Sequence, residues 1–289
     1  MDWLLWLGLA AGLLWVAAAG LSAFGNARWD KRLQALASRL EATRIRHTAG
    51  PPTRFDAAEL TGLPAPVQRY FRAVLTDGQP IITAATLAMH GSINLSATAE
   101  QWKPFTSRQR VITRHPGFMW EAQVAMFPGV TVRVVDSYIA GQGLLQAAVL
   151  GLFPVADASG GGEIARGECM RFFAEAGWYP TALLPSQGVQ WAAVDDTSAN
   201  ATLVDGPLTL TLLFRFNTSS LIDSFRAEAR GAGVGKDMVM LPWEGNWSNY
   251  QRRDGMLVPL TGEVAWLRPE GRKAYFHGTV TSLVYEWAA

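Results

Sequence analysis

Residues 207–216 read PLTLTLLFRF. In an extended chain Leu208, Leu210, Leu212, Phe214 and Phe216 fall on one side and Thr209, Thr211 and Arg215 on the other. That period of two marks a strand with one face in a core and the other in water. Residues 118–126 repeat the pattern, with Phe118, Trp120, Ala122, Val124 and Met126 opposed to Glu121 and Gln123. Residues 130–139 follow across Pro128-Gly129, so the two runs are predicted to form a hairpin. Working outward, strand-like runs cover 87–95, 108–114, 189–194, 199–204, 222–229, 244–250, 256–267 and 275–287, about ten to eleven strands in all.

Helical periodicity interrupts this series at few places. LPAPVQRYFRAVL at 63–75 puts Val67, Tyr70, Phe71 and Val74 on one face, and Pro66 suits a first turn. Residues 144–153 and 163–176 are read as two helices inserted in the β domain, separated by the flexible ASGGG of 158–162. So many neighbouring antiparallel strands must curl, and helices over the concave side would enclose an apolar space. The expected fold class is mainly β (α+β): a large curved antiparallel sheet or half-barrel with covering helices over 61–289, preceded by one N-terminal transmembrane helix.

That helix is expected within residues 1–27, where WLLWLGLAAGLLWVAAAGLSAFGNA (3–27) carries no charge; about 20 such residues suffice to cross a bilayer. Met1-Asp2 lacks the basic start of a cleaved signal, so an uncleaved anchor is the reading adopted. Arg28, Lys31, Arg32 and Arg39 crowd the C-terminal flank and lean the domain toward the cytoplasm, with both sides left open. In 28–60 Leu33, Leu36 and Leu40 continue at helical spacing, and Pro51-Pro52 ends the helix before a linker. The expected localisation is single-pass membrane.

Composition removes several function classes. A net charge of +1 over 289 residues gives no field toward nucleic acid, and one cysteine, Cys169, excludes an intrachain disulfide framework. His47, His90, His115 and His277 occur in no metal-ligand spacing. No Gly-x-Ser-x-Gly elbow is present. Gly160-Gly161-Gly162 lacks the Lys-Ser/Thr of a phosphate loop, and Gly231 to Gly235 reads as a hairpin loop. No cofactor is implied.

On the second inserted helix Glu168, Arg171, Glu175 and Trp178 lie about one turn apart, so Arg171 can pair with Glu168 and Glu175. A structural ion pair is the plain reading. The functional one places Glu175, Trp178, Tyr179 and Arg171 at the mouth of the sheet cavity, where a polar head meets a carboxylate and amphipathic rings. Trp243 and Trp247 share a strand face and read as core. Asp195-Asp196 reads as a turn.

The stretches LPAPVQRYFRAVL (63–75), GLFPVADASG (151–160), WYPTALLPSQGVQW (178–191), PWEGNWSNY (242–250) and VPLTGEVAWLRPEG (258–271) resemble a bacterial family of unknown function, of the DUF6544/DUF6920 type. The resemblance implies membership over nearly everything after about residue 60 and transfers no activity or catalytic residue. More loosely, the strand meander interrupted by helices looks like the half-barrel of bacterial lipoprotein carriers, an analogy of fold. The resulting expectation is a membrane-anchored protein that binds a lipid or other apolar molecule without catalysis. Two alternatives stand beside it: an enzyme on a membrane-derived substrate using Glu175, Asp136 and His90, or an interaction module without a ligand.

Overall fold

The computed structural model of the chain describes residues 2–44, 52–234 and 237–289. The N-terminal helix α1 (Asp2–Arg44) leads into a short helix α2 (Ala65–Val74) and six strands: β1 (Ile82–Asn94), β2 (Trp102–Ile112), β3 (Gly117–Phe127), β4 (Val130–Ile139), β5 (Gln142–Val149) and β6 (Phe153–Gly160). Helix α3 (Gly162–Ala174) and three 3-10 turns cross to a second run of seven: β7 (Gln190–Asp195), β8 (Ser198–Asp205), β9 (Leu208–Phe216), β10 (Ile222–Val234), β11 (Asp237–Arg253), β12 (Met256–Arg268) and β13 (Gly271–Trp287).

All thirteen strands join one antiparallel sheet, ordered β6-β5-β4-β3-β2-β1-β13-β12-β11-β10-β9-β8-β7. Two meanders therefore run in opposite sense and meet where the first strand pairs with the last, with Leu87 opposite Leu283 and Gly91 opposite Gly278. The sheet is strongly curved. In the strand order eight strands lie between β4 and β8, and a flat sheet would hold those two about 43 Å apart at ~4.8 Å per strand. Yet the Tyr138 hydroxyl on β4 donates to the Asp205 carboxylate on β8 at 2.6 Å, and α3 touches both β5 and β10. The face that carries α3 is the concave one.

The alternation that identified β9 and β3 is reproduced in burial: Leu210, Leu212, Phe214 and Phe216 are buried while Thr209, Thr211 and Arg215 are exposed. On α2 the same four residues picked by periodicity, Val67, Tyr70, Phe71 and Val74, enter the main core.

Three expectations are corrected. The helix expected at 144–153 is the β5–β6 hairpin. Its residues are good helix formers, but β5 is covered on both faces, with Leu144 against α1 and Leu145 on the concave side. Period two is hidden in such a strand. The turn, with Leu150 at φ 53° and Gly151 at φ 70°, has the two positive φ values of a tight hairpin turn, which a helix cannot accommodate. Gly231 to Gly233 are likewise part of β10 rather than a loop; Gly235 lies outside the described residues.

The third concerns the N-terminus. Among the described residues no helix is long and apolar enough to cross a membrane, so the single-pass span expected within 1–27 is not supported. The helix does continue through Leu33, Leu36 and Leu40 as their spacing predicts: α1 is one 43-residue helix with two environments. Its first half exposes Trp3, Leu5, Trp6, Leu9, Leu13 and Phe24. Its second half docks Trp29, Leu33, Leu36 and Leu40 on Ile112, Val135, Ile139 and Ala148 of the convex face. The turning point is Gly25, where a Cβ would overlap the Leu150 carbonyl oxygen and lie 2.7 Å from Leu152 Cγ. Around the docked half run ion pairs of Asp30 with Arg133 (2.8 Å), Glu41 with Arg110 (2.8 Å) and Arg44 with Glu286 (2.8 Å).

Candidate functional site

Between α3 and the concave face lies a cavity of about 430 Å³. Its wall carries five indoles: Trp120 on β3, Trp178 after α3, Trp243 and Trp247 on β11, and Trp266 on β12. Trp243 and Trp247 do share a face, as their spacing requires; both are buried in the main core, as read from the sequence, and border the cavity as well. Trp178 packs edge-on against Trp247 with centroids 4.8 Å apart.

Polar groups enter this wall mainly from α3. The chain enters that helix through Gly160 (φ 124°) and Gly162 (φ 64°), conformations open to glycine and strained for other residues. One turn apart on its inward side stand Glu168, Arg171 and Glu175. Arg171 Nε donates to Glu175 Oε1 at 2.8 Å and its Nη1 to Asp136 Oδ2 on β4 at 2.6 Å. Gln109 Nε2 on β2 donates to the other Glu175 oxygen at 2.6 Å, and the guanidinium lies over the Trp120 ring at 4.7 Å. Burial alone would lower the Arg171 guanidinium, but the carboxylates of Glu175, Asp136 and Glu168 outweigh it and hold it above its ordinary value. Arg171 is thus engaged on its edges and its face.

Arg230 on β10 is the second guanidinium. It stacks over Trp243 (4.4 Å) and Trp266 (5.5 Å), and its Nε donates to the Gly167 carbonyl at 3.3 Å. The expected Arg171–Glu168 pair is replaced: Glu168 faces Arg230 instead, at the loose separation of 4.0 Å. Glu168 is 6% exposed and its Oε2 has no hydrogen-bond partner. Asp136 Oδ1 and the indole N–H groups of Trp120, Trp178 and Trp247 are also buried without partners. Burial pushes the Glu168 carboxyl up to about 8, with the Asp136 charge adding to the shift, and burial raises Asp136 as well.

Of the residues predicted at the cavity mouth, Glu175, Trp178 and Arg171 line the cavity. Tyr179 does not. It is fully buried, its ring tilted against that of Phe172 at 5.5 Å, and donates its hydroxyl to the Phe172 carbonyl at 2.6 Å. The acid-base trio is also divided, because Asp136 and Glu175 share Arg171 while His90 is exposed in a separate groove beside Trp29 and Asp30 of α1. Sequence reasoning passed over Arg230 and the indoles of β3 and β12 as site residues. The usable signal was the alternate spacing of Trp243 and Trp247. Among the described residues no group of three His, Cys, Asp or Glu is placed to hold a metal ion.

Among curated proteins none matches the sequence. In fold the chain is similar to a LolA superfamily protein, NE2245 from Nitrosomonas europaea, at 8% identity and a TM-score of 0.43, over 76% of this chain and 92% of that one. It is also similar to a β-barrel-like protein of the domain of unknown function DUF1849 from Brucella abortus, at 11% identity and a TM-score of 0.22, over 71% and 99% of the two chains. The model of the family of unknown function DUF6920 matches residues 61–285, and the chain belongs to that family.

Proposed function

We propose that the chain is a binding protein for a lipid or another apolar molecule, held at a membrane surface by α1 and carrying out no catalysis. The cavity is the observation that carries this reading. Protein interiors contain few voids larger than a water molecule, whereas ligand pockets fall at roughly 300–1,000 Å³ with apolar walls and a few convergent polar groups. A space of about 430 Å³ walled by five indoles matches the second description. The predicted mouth residues Glu175, Trp178 and Arg171 then border the ligand's polar end, with Arg171 fixing the Asp136 and Glu175 carboxylates in place, and Tyr179 supports them from behind.

The membrane half of the proposal rests on where apolar side chains remain exposed. Leu21 and Phe24 on α1 precede the contact of Gly25 with the β5–β6 turn. Beside that turn Phe127, at the β3–β4 tip, is 68% exposed and Phe153 55%. Contiguous exposed apolar surface of this kind marks an interaction site, and α1 continues it with the apolar residues of its first half. The cavity reaches the ends of β1, β10 and β11 at Ile93, Gly233 and Met238, a route for a ligand at the tips of these hairpins.

Two measurements test the reading. Native mass spectrometry of the full chain, taken from membranes into polymer-bounded nanodiscs without detergent, is expected to show a small amphiphile held one to one and depleted in Gly233→Leu, whose side chain would project at the cavity wall. Equal amphiphile in both proteins would overturn the carrier reading. Flotation with phosphatidylcholine vesicles is expected to carry the chain upward and to fail for Leu9→Glu/Leu13→Glu; a variant that still floats would remove α1 from the membrane role.

A further inference from the structure

We propose that the cavity selects amphiphiles with a protonated amine as headgroup, held by Glu168 and Asp136 among the indoles. This rests on the carrier reading and adds the ligand's chemical class. Three carboxylates, Asp136, Glu168 and Glu175, stand at the cavity with two guanidiniums, Arg171 and Arg230. The two cations are already occupied. Arg171 holds Asp136 and Glu175 in short ion pairs, and Arg230 lies over the neighbouring rings of Trp243 and Trp266 with its Nε on a backbone carbonyl and its Nη2 facing Glu168 at 4.0 Å. An incoming carboxylate or phosphate would have to displace these partners and meet the remaining acid, an arrangement that disfavours anions.

What the site leaves open is acceptor capacity. Glu168 is 94% buried and its Oε2 has no partner, and Asp136 Oδ1 is unpartnered as well. A buried polar atom without a partner is costly, and an ammonium supplies three donors with one positive charge. The surrounding indole faces attract a cation further. The outer wall has the same sign, since Glu163 and Glu263 also line the cavity, each paired with an arginine outside it, Arg166 and Arg272.

The charge balance gives the step its form. Without ligand Glu168 keeps a proton, since burial, Asp136 and Glu175 oppose its ionisation and only Arg230 and Arg171 favour it. An entering ammonium takes the place of that proton, so binding of R–NH₃⁺ to the Glu168 carboxyl yields the ion pair and one H⁺ in solution. No covalent bond changes.

The test uses the full chain in phosphatidylcholine nanodiscs, titrated calorimetrically with octylamine, 1-octanol or octanoate against empty discs. Octylamine is expected to bind about tenfold more tightly than octanol, as a charge-assisted hydrogen bond requires, and octanoate more weakly than either. Glu168→Gln is expected to bring octylamine down to the octanol level with octanol unchanged. Repeating the wild-type titration at pH 7 in buffers of different ionisation enthalpy is expected to count close to one proton released per amine, a readout that needs no variant. Equal binding of amine and alcohol, tighter binding of octanoate, or no proton release would overturn the headgroup assignment and leave an apolar pocket. Absence of binding by all three probes would overturn the carrier reading together with it.

Discussion

Helices α1 and α3 sit on opposite faces of one sheet and treat charge in opposite ways. The docked half of α1 presents Leu33, Leu36 and Leu40 to a small aliphatic cluster and keeps its ionic contacts at the rim, where Asp30 is 55% exposed. Helix α3 turns Glu168 and Arg171 inward, and cavity remains beneath them. A helix that only needs to adhere buries apolar groups and leaves its charges in water, where each pair contributes little. Charges carried inward are expensive to desolvate and depend on a partner held in good geometry.

The sharpest way to break this contrast is Arg171→Met. It strands Asp136 and Glu175 without their counter-ion, and thermal unfolding followed by tryptophan fluorescence is expected to show a loss of about 3–5 kcal/mol. A loss under about 1 kcal/mol would mean that the interior pairs are no different from those on the rim. Next in size is Leu40→Ala on the opposite face, fully buried against the sheet, with an expected cost of roughly 2–4 kcal/mol. Hydrogen exchange should locate that loss in the second half of α1 and the outer face of β2 to β4, with α3 left protected.

A smaller effect separates the faces by pH. Glu168 holds its proton up to about pH 8 when folded, against 4.5 for the ordinary carboxyl. Between those values the folded chain binds the extra proton, so stability falls as pH rises and the contribution is gone above pH 8. The melting temperature is expected to drop by several degrees from pH 5 to pH 9 and to drop less in Glu168→Gln, with Asp136 supplying the residual slope; parallel curves would show that Glu168 is ordinary in this setting. The smallest change is Asp30→Ala, expected to cost under about 1 kcal/mol and to vanish in high salt.

The same two-faced arrangement explains what could be read from the chain in advance. Strand β9 announced itself because Thr209, Thr211 and Arg215 face water while Leu210, Leu212 and Phe214 face the core. Strand β5 did not, because both of its faces are covered and its leucines and alanines carry no alternation. At the site, Arg171 and Glu175 were legible as an i, i+4 pair, since that spacing is local. Asp136 and Arg230 reach the same cavity from β4 and β10, far along the chain from α3, through the curvature of thirteen strands. No spacing rule encodes that approach. Glu168 was visible as a helix neighbour of Arg171, but its partner and its unmet oxygen depend on Arg230.

The pairing of β1 with β13 gives the sheet a time order as well as a shape. Each meander is built from neighbouring hairpins, contacts that form locally and early. The seam between them waits for β13, which is made after every other strand of the sheet. Until then the edges of β1 and β12 stand open, two unpaired templates on one chain. A nascent polypeptide of this design is most exposed to mispairing just before β13 emerges, and a chain cut short before Gly271 would carry that exposure permanently.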